Sequence, residues 1–380
     1  MRMLSVKQTA KIISTYTGDT SGVCSALFEL GGMTVMHDPS GCNSTYNTHD
    51  EPRWYDSDSL VFISALTEAE AIMGDDDKLF RDTLEAASEL KPEFIALAGS
   101  PIPSLIGTDL DAVAYRLEQE LGIVSFGFAT DGMHSYVSGA SMAFSALARR
   151  ISKPCEKSER LSVNILGVTP LDFSVTGNVD DMKRALEQNG ISINGCWAMG
   201  GDISDIENAA AAHVNLVVSS CGLEAARILE NRFGIPFVVG TPCGGFTERV
   251  IESVKNAAVT LKSEILCVPK GGKTVIIGES VTACSLACAL EAEGIGARVI
   301  SAVDTDALLL GETCVNAVDE DEIIPLLSEA DCVIADPLYR PIVPNGAKFV
   351  SLPHEAFSGR IYRRDIPKLV NGIEEIIKEL

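Results

Sequence analysis

One pattern recurs along most of this 380-residue chain: a short run of β-branched and aliphatic residues, a turn containing Gly, then an amphipathic helix. In the first stretch MTVMHDP, SLVFISAL, EFIALAGS and IVSFGFA read as strands. DKLFRDTLEAASELK and GTDLDAVAYRLEQELG read as helices between them, and the small-residue helix SYVSGASMAFSALARRI closes the block. The polar, Pro-containing SKPCEKSER reads as a linker. The pattern restarts at SVNILGV and runs to IPFVVG. LKSEILCVPKGGK then separates it from a third round, KTVIIG to AKFVSLP, and the helix DIPKLVNGIEEIIKEL ends the chain. Strands that alternate with helices build parallel sheets covered on both faces, with right-handed crossovers. The expected fold is therefore α/β, with three Rossmann-like doubly wound domains over residues 1–154, 155–270 and 271–380. A content of 46% hydrophobic but only 6% aromatic residues suits such aliphatic cores.

A net charge of -23 argues against nucleic acid and anionic membranes as partners, because phosphates would be repelled. No apolar run reaches membrane-spanning length, and MRMLSVKQTAKIIS lacks the apolar region of a signal peptide. The chain is expected to be cytoplasmic. It holds 11 cysteines and no C-x-x-C pair, so core thiols or metal ligands are expected rather than disulfides.

In doubly wound sheets ligands sit beyond the carboxyl ends of the strands. The loops there carry His37/Asp38/Cys42, Ser100-Pro-Ile-Pro, Thr130 to His134, Thr169 to Asp172, Ser219 to Cys221, and Thr241 to Cys243. Neither G-x-G-x-x-G nor a Walker A loop occurs, so a nucleotide is not the indicated ligand. Cys196, Cys267, Cys284, Cys288, Cys314 and Cys332 lie in strand or helix interiors and read as core thiols. Cys42 differs: it follows Asp38-Pro39-Ser40-Gly41 in a turn, with His37 and His49 nearby, and is a candidate ligand or reactive thiol. Cys24, in a short helix expected to begin near Ser21, is either core or ligand, as are Cys221 and Cys243. His134 caps a helix or faces a cavity, while His213 and His354 read as structural or surface residues. GDDDK (Gly74 to Lys78) reads as a turn and a helix start favoured by the dipole.

The order of motifs carries more than any one of them. GGMTVMHDPSGC is followed by EAIMGDDDKLFRDTLEAASELKPEFIALAGSPIPSLIGTDLDAV, then by FGFATDGMHSYVSGASMAF. Later come AAAHVNLVVSSCGLEAARILENRFGIPFVVGTPCGGFTERV and KTVIIGESVTACSLACALEAEG. This succession resembles the component 1 superfamily of nitrogenases over nearly the whole chain. The resemblance implies three Rossmann-like domains, paired homologous subunits, iron–sulfur clusters at their boundary, and electrons from an ATP-hydrolysing iron protein. In many members it also implies a metallocluster or tetrapyrrole between domains.

Residue by residue, the family's H-G-x-x-G-C loop matches His37 to Cys42, with Asp38 in place of Gly, so Cys42 inherits a cluster-ligand role. The family's other two ligand cysteines fall near Tyr16 or Thr17 and on Ser100, where this chain has no thiol. The cavity cysteine of nitrogenase matches Ser219, with Cys221 two residues on, and its cavity histidine matches Ala140, with His134 nearby. The chain is therefore not expected to be a true nitrogenase. The ligand set implied instead is Cys42 with its symmetry mate, completed by Cys24 or Asp38, holding a [4Fe–4S] cluster across a two-fold interface. Cys24, His134, Cys221 and Cys243 are the candidates to line a pocket for a further metallocofactor or tetrapyrrole. Three readings stay open. One is a nitrogenase-like reductase fed by an iron protein, working as a homodimer or with a homologous subunit. Another is a non-catalytic scaffold or carrier for a metallocluster, and the last is a small-molecule-binding member without a cluster.

Overall fold

A computed structural model of the chain describes residues 11, 17–39, 46 and 51–380. Its strands form three separate parallel sheets. The first contains β1 (Met33–His37), β2 (Leu60–Ile63), β3 (Ile95–Gly99) and β4 (Ser125–Phe128), in the order β2-β1-β3-β4. The second contains β5 (Ser162–Leu166), β6 (Ser192–Cys196), β7 (Val214–Val217), β8 (Phe237–Val239) and β9 (Glu264–Ile265), in the order β6-β5-β7-β8-β9. The third contains β10 (Thr274–Gly278), β11 (Ala297–Ser301), β12 (Cys314–Asn316), β13 (Cys332–Ala335) and β14 (Lys348–Ser351), in the order β12-β11-β10-β13-β14.

The expected α/β fold with parallel sheets is thus observed. Helices cover both faces of the central strands: β3, β5 and β10 are buried at every residue, polar Ser162, Asn164 and Thr274 included, whereas the edge strand β2 has none fully buried. Each sheet reverses its strand order once, between β1 and β3, β5 and β7, and β10 and β13. Adjacent loops diverge there and leave a crevice at the carboxyl ends.

Several short elements depart from the sequence expectation. β9 and β12 are sheet-edge strands of two and three residues, too short to show a period. The stretch taken only as a separator before the third round therefore also extends the second sheet. Two six-residue helices, Glu68–Met73 and Pro101–Ile106, are held by local caps, a Thr67 capping box and an N-terminal Pro respectively. The helix carrying Cys24 runs Asp19–Leu27, starting two residues before Ser21. Buried Asp19 anchors it, accepting from Thr20, Asp131 and Gly132 N–H.

His213 precedes β7, and its Nδ1 accepts the Ser162 N–H at 3.2 Å. Burial, then the charge of Lys157, lowers its pKa below the ordinary histidine value. The unfolded chain therefore binds the proton more readily. This contribution to stability is complete above the unfolded pKa and is lost as pH falls from there through the lower folded pKa. Urea midpoints of the parent should drop between about pH 7.5 and 5.5, and part of that drop should vanish in His213→Gln. Equal slopes in both proteins would refute the assignment.

Candidate functional site

The chain leaves β5 through Gly167, whose φ of +84° and 2.6 Å approach of a built Cβ to the Ser219 carbonyl leave no room for a side chain. Thr169 and Pro170 then start the short helix Pro170–Phe173, which presents Asp172. After β10 comes Glu279, after β14 comes His354, and Tyr136 opens the helix Tyr136–Arg150 that follows β4. Elements following all three sheets thus meet at one place.

The Tyr136 hydroxyl donates a short hydrogen bond to Asp172 Oδ1. His354 Nε2 stands 3.5 Å from the same oxygen. The Ala356 N–H donates to His354 Nδ1 at 3.3 Å, so the neutral ring carries its proton on Nε2, facing Asp172. Asp172 Oδ2 is buried with no hydrogen-bond partner. Glu279, fully buried, accepts from Val281 and Thr282 N–H at the start of its own helix and from Ser220 N–H beyond β7. It therefore ties the second and third sheets together. Burial first, and then the charge of Asp172, raises the pKa of Glu279, Tyr136 and Cys221. All three are held toward their protonated forms.

Asp172, Glu279 and His354 line a cavity of about 50 Å³, closed otherwise mainly by aliphatic side chains of β10, its following helix and the segment Ile366–Leu369. No Lys or Arg lines it. The volume suits a few water-sized groups.

The other candidates are dispersed. Cys42 and His49 lie outside the described residues. Cys24 is fully buried in a small cluster with Phe28, Met36 and Tyr46, the last being the described residue nearest to Cys42 on its C-terminal side. Asp38 is buried at the end of β1, its N–H bonded to Ser64 Oγ at 3.1 Å. The His37 ring meets the same hydroxyl at 2.8 Å. His134 is exposed, 3.8 Å from Asp304. Cys221 donates to the Gly167 carbonyl, and Cys243 is fully buried, where desolvation pushes its thiol up to about 12. A thiolate is disfavoured at both.

Among the described residues no three His, Cys, Asp or Glu side chains converge so as to hold a metal ion. The described residues by themselves therefore do not fit an iron–sulfur cluster. Nor does any described helix have the length and apolarity to cross a membrane.

Asp172 lay in a loop singled out from the sequence, and its position after a strand was the signal. Tyr136 and Glu279 were missed. His354 was read as structural or surface, although it directly follows the last strand and the same rule would have selected it.

Three comparisons bear on the chain. The family model described as nitrogenase component 1 type oxidoreductase matches residues 22–285, more than half of the chain. A component polypeptide of the light-independent protochlorophyllide reductase of Dinoroseobacter shibae is 30% identical over 191 residues, covering 50% of this chain and 36% of that protein. The nitrogenase molybdenum-iron protein alpha chain of Clostridium pasteurianum is 25% identical over 203 residues, covering 52% of this chain and 37% of that one. The matched stretch thus spans little more than a third of these relatives. A solved structure titled nitrogenase Cp1 at pH 6.5 superposes with a TM-score of 0.72 at 16% identity, over 100% of this chain and 94% of that one. That likeness speaks for the shared fold. The extent of the family match decides the assignment: the chain belongs to the nitrogenase component 1 type oxidoreductases.

Proposed function

We propose that the chain is the substrate-binding component of a nitrogenase-like reductase. It takes electrons from an ATP-dependent iron protein and reduces a small molecule in the cavity bounded by Asp172, Glu279 and His354. The observation that carries this reading is the Tyr136–Asp172–His354 constellation at that cavity, in which Asp172 Oδ2 and His354 Nε2 both lack a hydrogen-bond partner among the described residues.

Reduction of an unsaturated small molecule consumes protons with the electrons. Asp172 lines the cavity, held by the Tyr136 hydroxyl and faced by His354 Nε2, so in its protonated form it can pass a proton to a ligand and be reprotonated from solvent. The cavity volume favours a small substrate over a tetrapyrrole, which would require the walls to part. The sealed thiols Cys221 and Cys243 favour an enzyme over a carrier that presents sulfur ligands to a cargo in this cavity.

Electron entry is assigned to a [4Fe–4S] cluster shared across a dimer, either a homodimer or a pair with a homologous subunit. The reading assigns it Cys42 of each protomer, with Asp38 or Cys24 as the further ligand. The domain limits 1–154, 155–270 and 271–380 belong to the same proposal.

The test is anaerobic purification followed by mixing with a reduced iron protein and MgATP. ATP-dependent oxidation of the iron protein, and about four iron per dimer, are expected. Cys42→Ala should lose the iron. Asp172→Asn should keep iron and electron uptake but lose turnover of a supplied substrate. An unchanged iron content in Cys42→Ala, or no ATP-dependent electron uptake, would defeat the proposal.

A further inference from the structure

We infer that the segment 364–372 is a lid on the cavity between the second and third sheets, latched shut by Asn178 and Lys368, and that a ligand enters only when this segment lifts. The inference deepens the proposed function and rests on its reading of the cavity as the ligand site.

The first ground is access. Glu279 is fully buried and the Asp172 side chain has no exposed surface, so a ligand reaches neither while the walls stand as they are. One wall is Ile276, Ile277, Ala283 and Leu286, all buried residues of β10 and the helix Ser280–Ala292. Moving them would disrupt the close-packed core of the third sheet. Ile366, Pro367 and Leu369 form another wall, and none of the three is fully buried.

The second ground is how that wall is built. The segment 364–372 holds no strand and no α-helix, and none of its residues is fully buried. It is rooted at both ends. Before it, Arg363 pairs with buried Glu355 at 2.6 Å. After it, Ile373 of the terminal helix Ile373–Lys378 packs on Gly244, where a Cβ would lie 2.5 Å from Ile373 Cγ2. A strap that gives so little surface to the core opens at a fraction of the cost of unfolding.

The third ground is the latch. Between its roots the strap is held by elements of the second sheet. The Leu369 N–H donates to Asn178 Oδ1 at 2.8 Å, and its carbonyl accepts from the Gly244 N–H at 3.0 Å. Asn178 Nδ2 donates to the Pro367 carbonyl at 3.2 Å, and Lys368 Nζ stands 3.3 Å from Asp181 Oδ2. Asn178 also lines the cavity, and its amide donates to the Phe173 carbonyl at 3.3 Å, beside Asp172. The latch is thus in reach of whatever fills the cavity.

Entry is measured with a small methanethiosulfonate as the probe. Ala283→Cys places a thiol in the cavity wall, and its labelling on the full chain is followed by peptide mass spectrometry. Native Cys314, buried in the third sheet and outside this wall, reports unfolding of that sheet. With the latch intact, the introduced thiol should label at least about tenfold faster than Cys314. Lys368→Ala should raise its rate about two- to fivefold, the effect of losing a partly exposed ion pair. Asn178→Ala should raise it about tenfold, for two lost hydrogen bonds to the strap. Neither should change the Cys314 rate. Arg184 and Lys368 are exposed and flank Asp181. A short bismaleimide joining thiols introduced by Arg184→Cys and Lys368→Cys should slow entry to the Cys314 rate. Should Asn178→Ala fail to fold, Lys368→Ala and the cross-link decide. Equal labelling of the introduced thiol and Cys314, or an entry rate unchanged by loosening the latch and by the cross-link, would overturn the inference. Entry gated by the strap without ATP-dependent electron uptake would defeat only the redox proposal. Electron uptake with the introduced thiol as slow as Cys314 would defeat only this one.

Discussion

Replacing Arg53 with Met lowers the free energy of unfolding by about 3–5 kcal/mol, the cost of breaking a buried ion pair by removing one partner. The Arg53 guanidinium is almost fully buried and donates to Glu51 at 2.6 and 2.8 Å and to Glu29 at 2.9 Å. It also donates to the carbonyls of Ser25 at 2.9 Å and Ala198 at 2.5 Å. Its charged form is so well served by these acids that its pKa is raised despite burial.

Without it, the fully buried Glu51 carboxylate keeps, among the described residues, the backbone N–H of residue 53 at 3.0 Å and the hydroxyls of Ser25 at 3.0 Å and Tyr46 at 3.4 Å, with no cation to balance its charge. Two carbonyls lose their donor as well. Because Ala198 follows β6 while Ser25 lies on the helix Asp19–Leu27, the same change also unpins the first sheet's elements from the second. Denaturant unfolding of Arg53→Met, Glu51→Leu and the double variant gives the coupling, and the double variant should recover much of the loss. A single-variant loss below about 1 kcal/mol would show that the network contributes little. Glu51 and Arg53 also follow directly after the stretch that carries Cys42. If the proposed cluster role holds, iron retention should fall in Arg53→Met as well.

Gly139→Ala is expected to destabilise by about 1–3 kcal/mol, the range for overpacking a filled interior. At an unremarkable helical site the same change gains roughly 0.5–1 kcal/mol, because Gly is the poorer helix former. The sign reverses because the helices Asp19–Leu27 and Tyr136–Arg150 cross with their backbones in contact. A Cβ on Gly139 would lie 1.8 Å from the Asp19 carbonyl oxygen, and one on Gly22 would lie 2.1 Å from that of Tyr136. Neither obstacle is a side chain that could swing aside, so the helices must separate. Tyr136 sits one turn before Gly139, so its hydroxyl would be drawn off Asp172 and ligand binding in the cavity would weaken together with stability. Thermal and denaturant unfolding of Gly139→Ala and Gly22→Ala decide the point. A stabilised variant would mean that the crossing is not as tight as described.

The limits of sequence reading follow from where each signal resides. Cys42 drew attention because a thiol in a Gly-relieved turn is locally unusual. The order of motifs identified the family although no single motif could. Glu279 lies in GESVTAC, which has no nucleotide-loop spacing, and nothing local singled it out. Only its three backbone partners, one of them from another sheet, reveal it as a helix cap that also joins two sheets. His354 had no histidine, cysteine or acid at ligand spacing, so nothing local distinguished it from a surface residue.

By itself the sequence determined the alternation of parallel strands and helices, because hydrophobic periodicity and turn chemistry are set by residues within a few positions of one another. It also carried the likeness to the nitrogenase component 1 type oxidoreductases, because motif order is linear information. Only the tertiary structure decided that Tyr136, Asp172 and His354 form one site, since Tyr136 and Asp172 are 36 positions apart and His354 arrives from the far end of the chain. Their meeting depends on how three sheets present their carboxyl ends to one another. That arrangement is fixed by long-range packing, such as the Gly22–Gly139 crossing and the Arg53 network, and no local spacing encodes it.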